Sequence, residues 1–196
     1  MSIRIALLVL LLLPGLAAAQ QIRPADRERL TETDALLGRA LKQALAYGAA
    51  ADIALLTRAM QGAPGDFDPA GDWNCRTLKL GGILPLVAYP DFSCRIEPLE
   101  TGGWRLVKLT GSQRVVGTIH ATGPSALFLG VGHVGTAPAT DYAGLPPDDQ
   151  TPVEPNQTTA DVGWFEQMGP DRARLLLPDP VLESDFDILY LTRQAG

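Results

Sequence analysis

Three arginines, Arg76, Arg95 and Arg114, fall on or beside stretches that read as strands. A guanidinium fork matches a carboxylate or phosphate bidentately. If two of the three point into a barrel, they would clamp a small anion. The competing expectation is an internal ion-pair network with Glu183 and Asp185, because buried charge needs a partner. Glu183, Asp185 and Asp187 form an acidic run near the last strand. Neighbouring carboxylates can do acid–base work when burial separates their pKa values.

Other constellations carry less. Gly130-Val131-Gly132-His133-Val134-Gly135 matches G-x-G-x-x-G, but Thr136-Ala137-Pro138 and a proline-rich tract follow it. No helix N-terminus stands there to hold a pyrophosphate, so the glycines are expected to permit close strand packing or a bend. His120 and His133 lie in neighbouring predicted strands without a metal-ligand spacing. Ser112 lacks the flanking glycines of a nucleophile elbow, and spacing alone does not make His120 its base or Asp187 the orienter. Asp66, Asp68 and Asp72 crowd one connector, where Pro69-Ala70 interrupt any calcium-loop pattern. No catalytic set, cofactor or metal site is therefore expected.

The elements that must position these residues show a change of period. Leu30, Leu37, Leu41, Ala44 and Leu45 repeat at helical spacing after Pro24, and Gly48 interrupts them. A second short helix is expected over 51–60, with one kinked helix over both stretches as the alternative. A connector rich in turn formers runs from Gly62 to Gly71, and beyond it the pattern is strand-like. Strands are expected over 73–80, 86–89, 92–99, 104–109, 115–121, 126–134, 162–168, 172–177 and 187–192. Trp104, Leu106 and Lys108 share one strand face. Residues 135–161 carry five prolines and read as a loop or lid.

The N-terminus is that of an exported protein. Arg4 precedes an unbroken apolar run from Ile5 to Leu13, and Ala17-Ala18-Ala19 offers a cleavage site before Gln20. The run is too short for a stable bilayer anchor. A periplasmic or secreted location follows, without stable membrane insertion after cleavage. Removing Arg4 from the 16 basic residues leaves 15 against 22 acidic ones, a balance of −7. Such a chain repels phosphate backbones, which argues against nucleic-acid partners. Cys75 and Cys94 are the only cysteines. In an exported chain they are expected to form a disulfide, worth about 3 kcal/mol for a loop of this length; two buried thiols are the alternative.

Gly71-Asp72-Trp73 opens the first long strand and Arg193 ends the last. This resembles the lipocalin-like (calycin) arrangement, in which a Trp closes one barrel end and an Arg lies across it. A second resemblance covers nearly the whole mature chain. Its carriers, in order, are Cys75-Arg76-Thr77-Leu78-Lys79-Leu80-Gly81, Ala88-Tyr89-Pro90-Asp91-Phe92-Ser93-Cys94-Arg95-Ile96, Lys108-Leu109-Thr110-Gly111-Ser112-Gln113-Arg114, Leu175-Leu176-Leu177-Pro178 and Glu183-Ser184-Asp185-Phe186-Asp187. These stretches resemble the bacterial domain-of-unknown-function family 4893. That resemblance implies no activity.

The sequence thus points to an α+β chain. A signal peptide over 1–19 and a helical segment over 20–61 precede a β-rich domain over 72–196 that packs with the helices as one unit. The β-rich part is expected to be an antiparallel, eight-stranded lipocalin-like β-barrel, with a β-sandwich as the alternative. The expected function is non-catalytic binding of a small apolar or anionic ligand, or inhibition of a secreted enzyme. Two alternatives stand beside it: an envelope interaction protein whose helices dock on a partner, and a periplasmic hydrolase using Ser112 or the Glu183–Asp187 acids.

Overall fold

The computed structural model describes residues 21–66 and 68–194. The expected signal peptide lies outside the described residues. Three helices come first: α1 (Pro24–Thr31), α2 (Thr33–Tyr47) and α3 (Ala50–Met60). Nine strands follow: β1 (Gly71–Leu80), β2 (Leu86–Ala88), β3 (Phe92–Pro98), β4 (Trp104–Lys108), β5 (Gln113–His120), β6 (Ser125–Val134), β7 (Thr159–Gly169), β8 (Arg172–Pro178) and β9 (Phe186–Arg193).

Every strand pairing is antiparallel, and β1 pairs with β9 from Trp73↔Arg193 to Leu80↔Phe186, which closes the sheet. The closed barrel contains β1 and β3 to β9. The ninth strand, β2, shares one edge of β1 with β3. β3 pairs with residues 71–75 of β1 and β2 with residues 78–80. Pro90 stands between them and cannot donate a ladder hydrogen bond, so the edge is covered by two short pieces rather than one long strand.

Alternation divides each strand between two cores. Trp73, Cys75, Cys94, Ile96, Leu106, Ile119, Phe128, Phe165, Leu175 and Leu191 fill the barrel interior. Leu78, Leu80, Phe186, Ile188 and Tyr190 face outwards and meet Ala40, Ala44, Leu55, Leu56 and Ala59 of α2 and α3. The helical apolar stripe is thus covered by the chain's own barrel. The first helical segment breaks at Glu32, whose backbone departs from helical geometry (φ −87°, ψ 5°). As a result α2 turns a different face inwards than a single continuous stripe implies, burying Ala40 and Ala44 and leaving Leu45 exposed.

α1 is held by a buried polar knot on the outside of the barrel. Asp26 is fully buried and pairs with Arg23 at 3.1 Å and Arg29 at 3.0 Å. The Tyr142 hydroxyl donates to it at 2.9 Å and the Gln150 amide at 2.8 Å. Tyr142 and Gln150 come from the proline-rich segment, which is therefore strapped against α1. That segment also ends earlier than its composition suggests. β7 begins at Thr159 rather than at residue 162, because Thr159, Ala160 and Asp161 already pair with Gly132, Val131 and Gly130 of β6. Thr159 and Asp161, which read as polar loop, become strand residues.

Candidate functional site

The two ends of the barrel interior differ in chemistry. At one end Trp73 is fully buried, and its indole N–H donates to the Pro69 carbonyl at 2.9 Å. The Arg193 guanidinium lies over the indole, 4.1 Å from the ring centroid. It also donates to the carbonyls of Pro170, Ala70 and Asp68 at 3.0, 2.6 and 3.0 Å. The Trp–Arg plug expected from the strand termini is thus in place. Beside it Cys75 and Cys94 form the disulfide, with Cα atoms 5.8 Å apart.

The opposite end is open and polar. A cavity of about 210 Å³ lies there, lined by charged side chains of β1, β4, β7 and β9 and by the aromatic rings of Tyr89 and Phe92. Strand alternation delivers the charges. Lys79 follows Trp73, Cys75 and Thr77 on the inner face of β1, and Lys108 follows Trp104 and Leu106 on β4. Asp161 precedes Phe165 on β7, and Asp187 precedes Leu189 and Leu191 on β9.

Lys79 and Asp187 are cross-strand partners in register. The Lys79 ammonium bonds the Glu183 carboxylate at 2.6 Å. Burial works against its charge, but Asp187 and Glu183 together outweigh burial, and its pKa is raised. Glu183 sits at φ 75°, a left-handed conformation that side-chain-bearing residues seldom adopt. The bond from Lys79 holds its carboxyl below the ordinary range. Burial pushes Asp187 up to about 7, even though Lys79 and a hydrogen bond from Ser184 Oγ favour its charge.

Lys108 has a different environment. It is 4% exposed, donates to the Gln113 carbonyl at 2.6 Å and lies 4.1 Å from the Phe92 ring centroid. Among the described residues it forms no ion pair with a carboxylate. Burial, with Lys79 and Arg114 nearby, brings its pKa down to about 8. Asp161 is 8% exposed. Burial pushes it up to about 6 against the attraction of Arg29 and Lys79, and no hydrogen bond to its carboxylate offsets that. His133 lines the same cavity with its Nδ1 buried and unpartnered, and burial lowers its pKa.

The glycines of the G-x-G-x-x-G stretch make this interior possible. A Cβ on Gly130 would lie 2.6 Å from the Phe128 ring, and one on Gly132 would lie 2.7 Å from Asp161 Oδ2. They leave room on β6 for a buried aromatic and a buried carboxylate. The family model described as "Domain of unknown function (DUF4893)" matches residues 19–191. The chain belongs to this family. No curated protein matches it, and no solved structure does.

This DUF4893 barrel does not bring the three candidate arginines together. Arg76 and Arg95 occupy outward positions. Arg76 makes a bidentate pair with Asp91 at 2.9 and 2.7 Å, and Arg95 bonds Asp72 at 2.7 Å. Their acidic partners are therefore local ones rather than Glu183 and Asp185. Arg114 alone of the three lines the cavity. Its Nε donates to the Gly111 carbonyl at 3.1 Å, and it forms no ion pair among the described residues.

Ser112 lies at the cavity rim, just before β5, and His120 ends that strand. Seven strand residues lie between them, eight steps at about 3.3 Å each, too far for a nucleophile and its base. The acidic run is also split, with Asp187 buried in the barrel, Glu183 at the rim and Asp185 exposed. Among the described residues no three His, Cys, Asp or Glu side chains gather as a metal site. No described helix is long and apolar enough to cross a membrane.

Lys79, Lys108 and Asp161 were not singled out as site residues by their types. Period-two alternation was the available signal, since it places Lys79 in line with Trp73 and Cys75, and Lys108 in line with Trp104 and Leu106.

Proposed function

We propose that this DUF4893 protein is an exported, non-catalytic binding module whose barrel cavity holds a small molecule carrying an anionic group. One observation carries the reading. Lys108 and Arg114 line a cavity at the open barrel end, and neither has a carboxylate partner among the described residues. Pockets that combine apolar walls with a few convergent polar groups are the usual form of small-ligand sites. Phe92, Val115, Leu177 and Leu189 supply the apolar walls. Export is supported by the signal-like N-terminus and agrees with the disulfide.

Native mass spectrometry of the protein, purified unreduced from its own periplasm, tests this reading. A retained small-molecule adduct, lost in Lys108→Met, is the expected result. A bare protein, together with a failure of small anions to bind in titration, would overturn it.

One observation favours a hydrolase as a second reading. Asp161 and Asp187 share the cavity, and burial places both near neutrality, where carboxyl groups exchange protons efficiently. Ester and glycoside screens comparing the wild type with Asp187→Asn decide it. Turnover lost in the variant supports catalysis, and equal background rates remove it.

A further inference from the structure

The cavity charges divide into those that satisfy each other and those that do not. Lys79 is neutralised locally by its bond to Glu183 at the rim and by Asp187, its register partner on the neighbouring strand. Lys108 and Arg114 bond no carboxylate directly, although Asp187 attracts Lys108, and Asp161 has no direct bond to a cation of the cavity. Arg29, the cation that most affects Asp161, bonds Asp26 and the carbonyls of Pro178 and Ala160 through Nε and Nη1, leaves Nη2 buried without a partner, and makes no hydrogen bond to Asp161.

The strand order sets where these leftover charges stand. Around the ring β5 and β6 separate β4 from β7 on one side, and β3, β1, β9 and β8 separate them on the other. Lys108 on β4 and Asp161 on β7 therefore face each other from nearly opposite walls, with the cavity between them. Arg114 starts on the outer side of β5, one residue before the inward Val115, and its side chain bonds the Gly111 carbonyl at the cavity rim beside the cationic wall. Asp161 does not figure among the charges that shift Lys108, nor Lys108 among those that shift Asp161. Two opposite buried charges that leave each other unneutralised call for something between them that carries both signs.

Resting on the binding reading above, we propose that the cavity takes a small zwitterion, with its carboxylate on Lys108 and Arg114 and its ammonium group on Asp161. The body of the ligand would lie against Phe92, Val115, Leu177 and Leu189. A molecule with only an anionic group would leave the Asp161 carboxylate desolvated and unpaired. One with only an amine would do the same to Lys108. Selectivity then comes from the charge that a wrong ligand leaves stranded.

Isothermal titration of the purified, disulfide-intact protein tests this directly. The probes are the linear amino acids from glycine to 6-aminohexanoate, with L-leucine, which scan charge separation and apolar bulk. Pentanoate and butylamine, which are 5-aminopentanoate without its amine and without its carboxylate, serve as single-charge controls. At least one zwitterion is expected to bind about tenfold or more tightly than either control, the size of one charge-assisted hydrogen bond.

Asp161→Asn should bring that zwitterion and pentanoate to similar affinity, with pentanoate gaining because no carboxylate is left stranded. Lys108→Met should abolish binding of pentanoate and weaken the zwitterion, with butylamine gaining because no ammonium is left stranded. Both variants remove a buried charge, and melting curves verify that they fold. Pentanoate equal to the best zwitterion, a preference that survives Asp161→Asn, or a native adduct with a single charged group overturns the zwitterion while the binding reading stands. No probe bound and a bare native protein remove both.

Discussion

At the closed end of the barrel, Trp73 and Arg193 have partners for every polar group named here: the indole N–H reaches Pro69, and the guanidinium reaches three carbonyls and a ring face. At the open end, Lys108 is nearly as buried as Trp73 and more buried than Arg193, yet has one carbonyl, a ring face and no carboxylate, and Asp161 has no hydrogen bond. The same strands build both ends. β1 runs from Trp73 to Lys79 and β4 from Trp104 to Lys108, each changing from apolar to charged along one inner face. Buried charge lacking partners lowers stability. Its concentration at one end, beside a cavity, marks that end as built for something other than stability.

Asp26 makes the contrast sharper. It is also a buried aspartate, but it receives two arginines, a phenol and an amide. The fold can satisfy a buried carboxylate fully where the role is to fasten a helix. At Asp161 it does not.

Substitutions that break this comparison should differ in size by end. Trp73→Ala should be the most damaging, with a loss of about 3–5 kcal/mol in urea unfolding, because it empties a fully buried site and removes the ring under Arg193. A loss under 1 kcal/mol would show that the closed end is not the structural end. Replacing both Cys75 and Cys94 with Ala should cost on the order of 3 kcal/mol, read as a lowered urea midpoint.

The open end should respond through pH. With its pKa raised from 3.8 to about 6, Asp161 holds a proton in the folded state that the unfolded chain has already released. Its contribution to stability is fully present below 3.8 and is lost as pH rises through about 6. Asp187 acts in the same sense up to about 7. Asp161→Asn should therefore gain on the wild type, by on the order of 2 kcal/mol, between pH 4 and 7. Paired melts at each pH measure this, and a constant difference would mean that Asp161 titrates normally.

Lys108→Met should change stability somewhat less, by about 1–2 kcal/mol in the stabilising direction at pH 7, because an apolar chain replaces a buried ammonium without an ion pair while the contacts to the Gln113 carbonyl and the Phe92 ring are lost. Lys108, lowered from 10.5 to about 8, destabilises the fold below about pH 8 and ceases to do so as pH rises to 10.5. The benefit of the variant should accordingly disappear in alkaline melts.

Much of the scaffold was legible in the sequence. The switch from helical to alternating period located the helices and nearly every strand. Gly71-Asp72-Trp73 with Arg193 pointed to a plugged barrel end, and the two cysteines to their disulfide. The start of β7 was not legible, because Thr158-Thr159-Ala160-Asp161 is polar and Asp is depleted in strands. Its strand character comes from pairing with β6, where Gly130, Val131 and Gly132 provide the partner edge. The arginines attracted attention by residue type, yet Asp91 and Asp72 engage two of them on the outer surface.

Local spacing by itself determined the period of each element, the apolar faces and the positions of the turns, because these depend on neighbours a few residues apart. It even placed Lys108 on the face of Leu106. Only the closure of β1 on β9 decided that this face is the inside of a barrel. Only the order of strands around the ring set Lys79 beside Asp187 and left Lys108 opposite Asp161. Whether a buried charge is satisfied depends on partners tens of residues away in the chain, and a one-dimensional pattern carries no record of them.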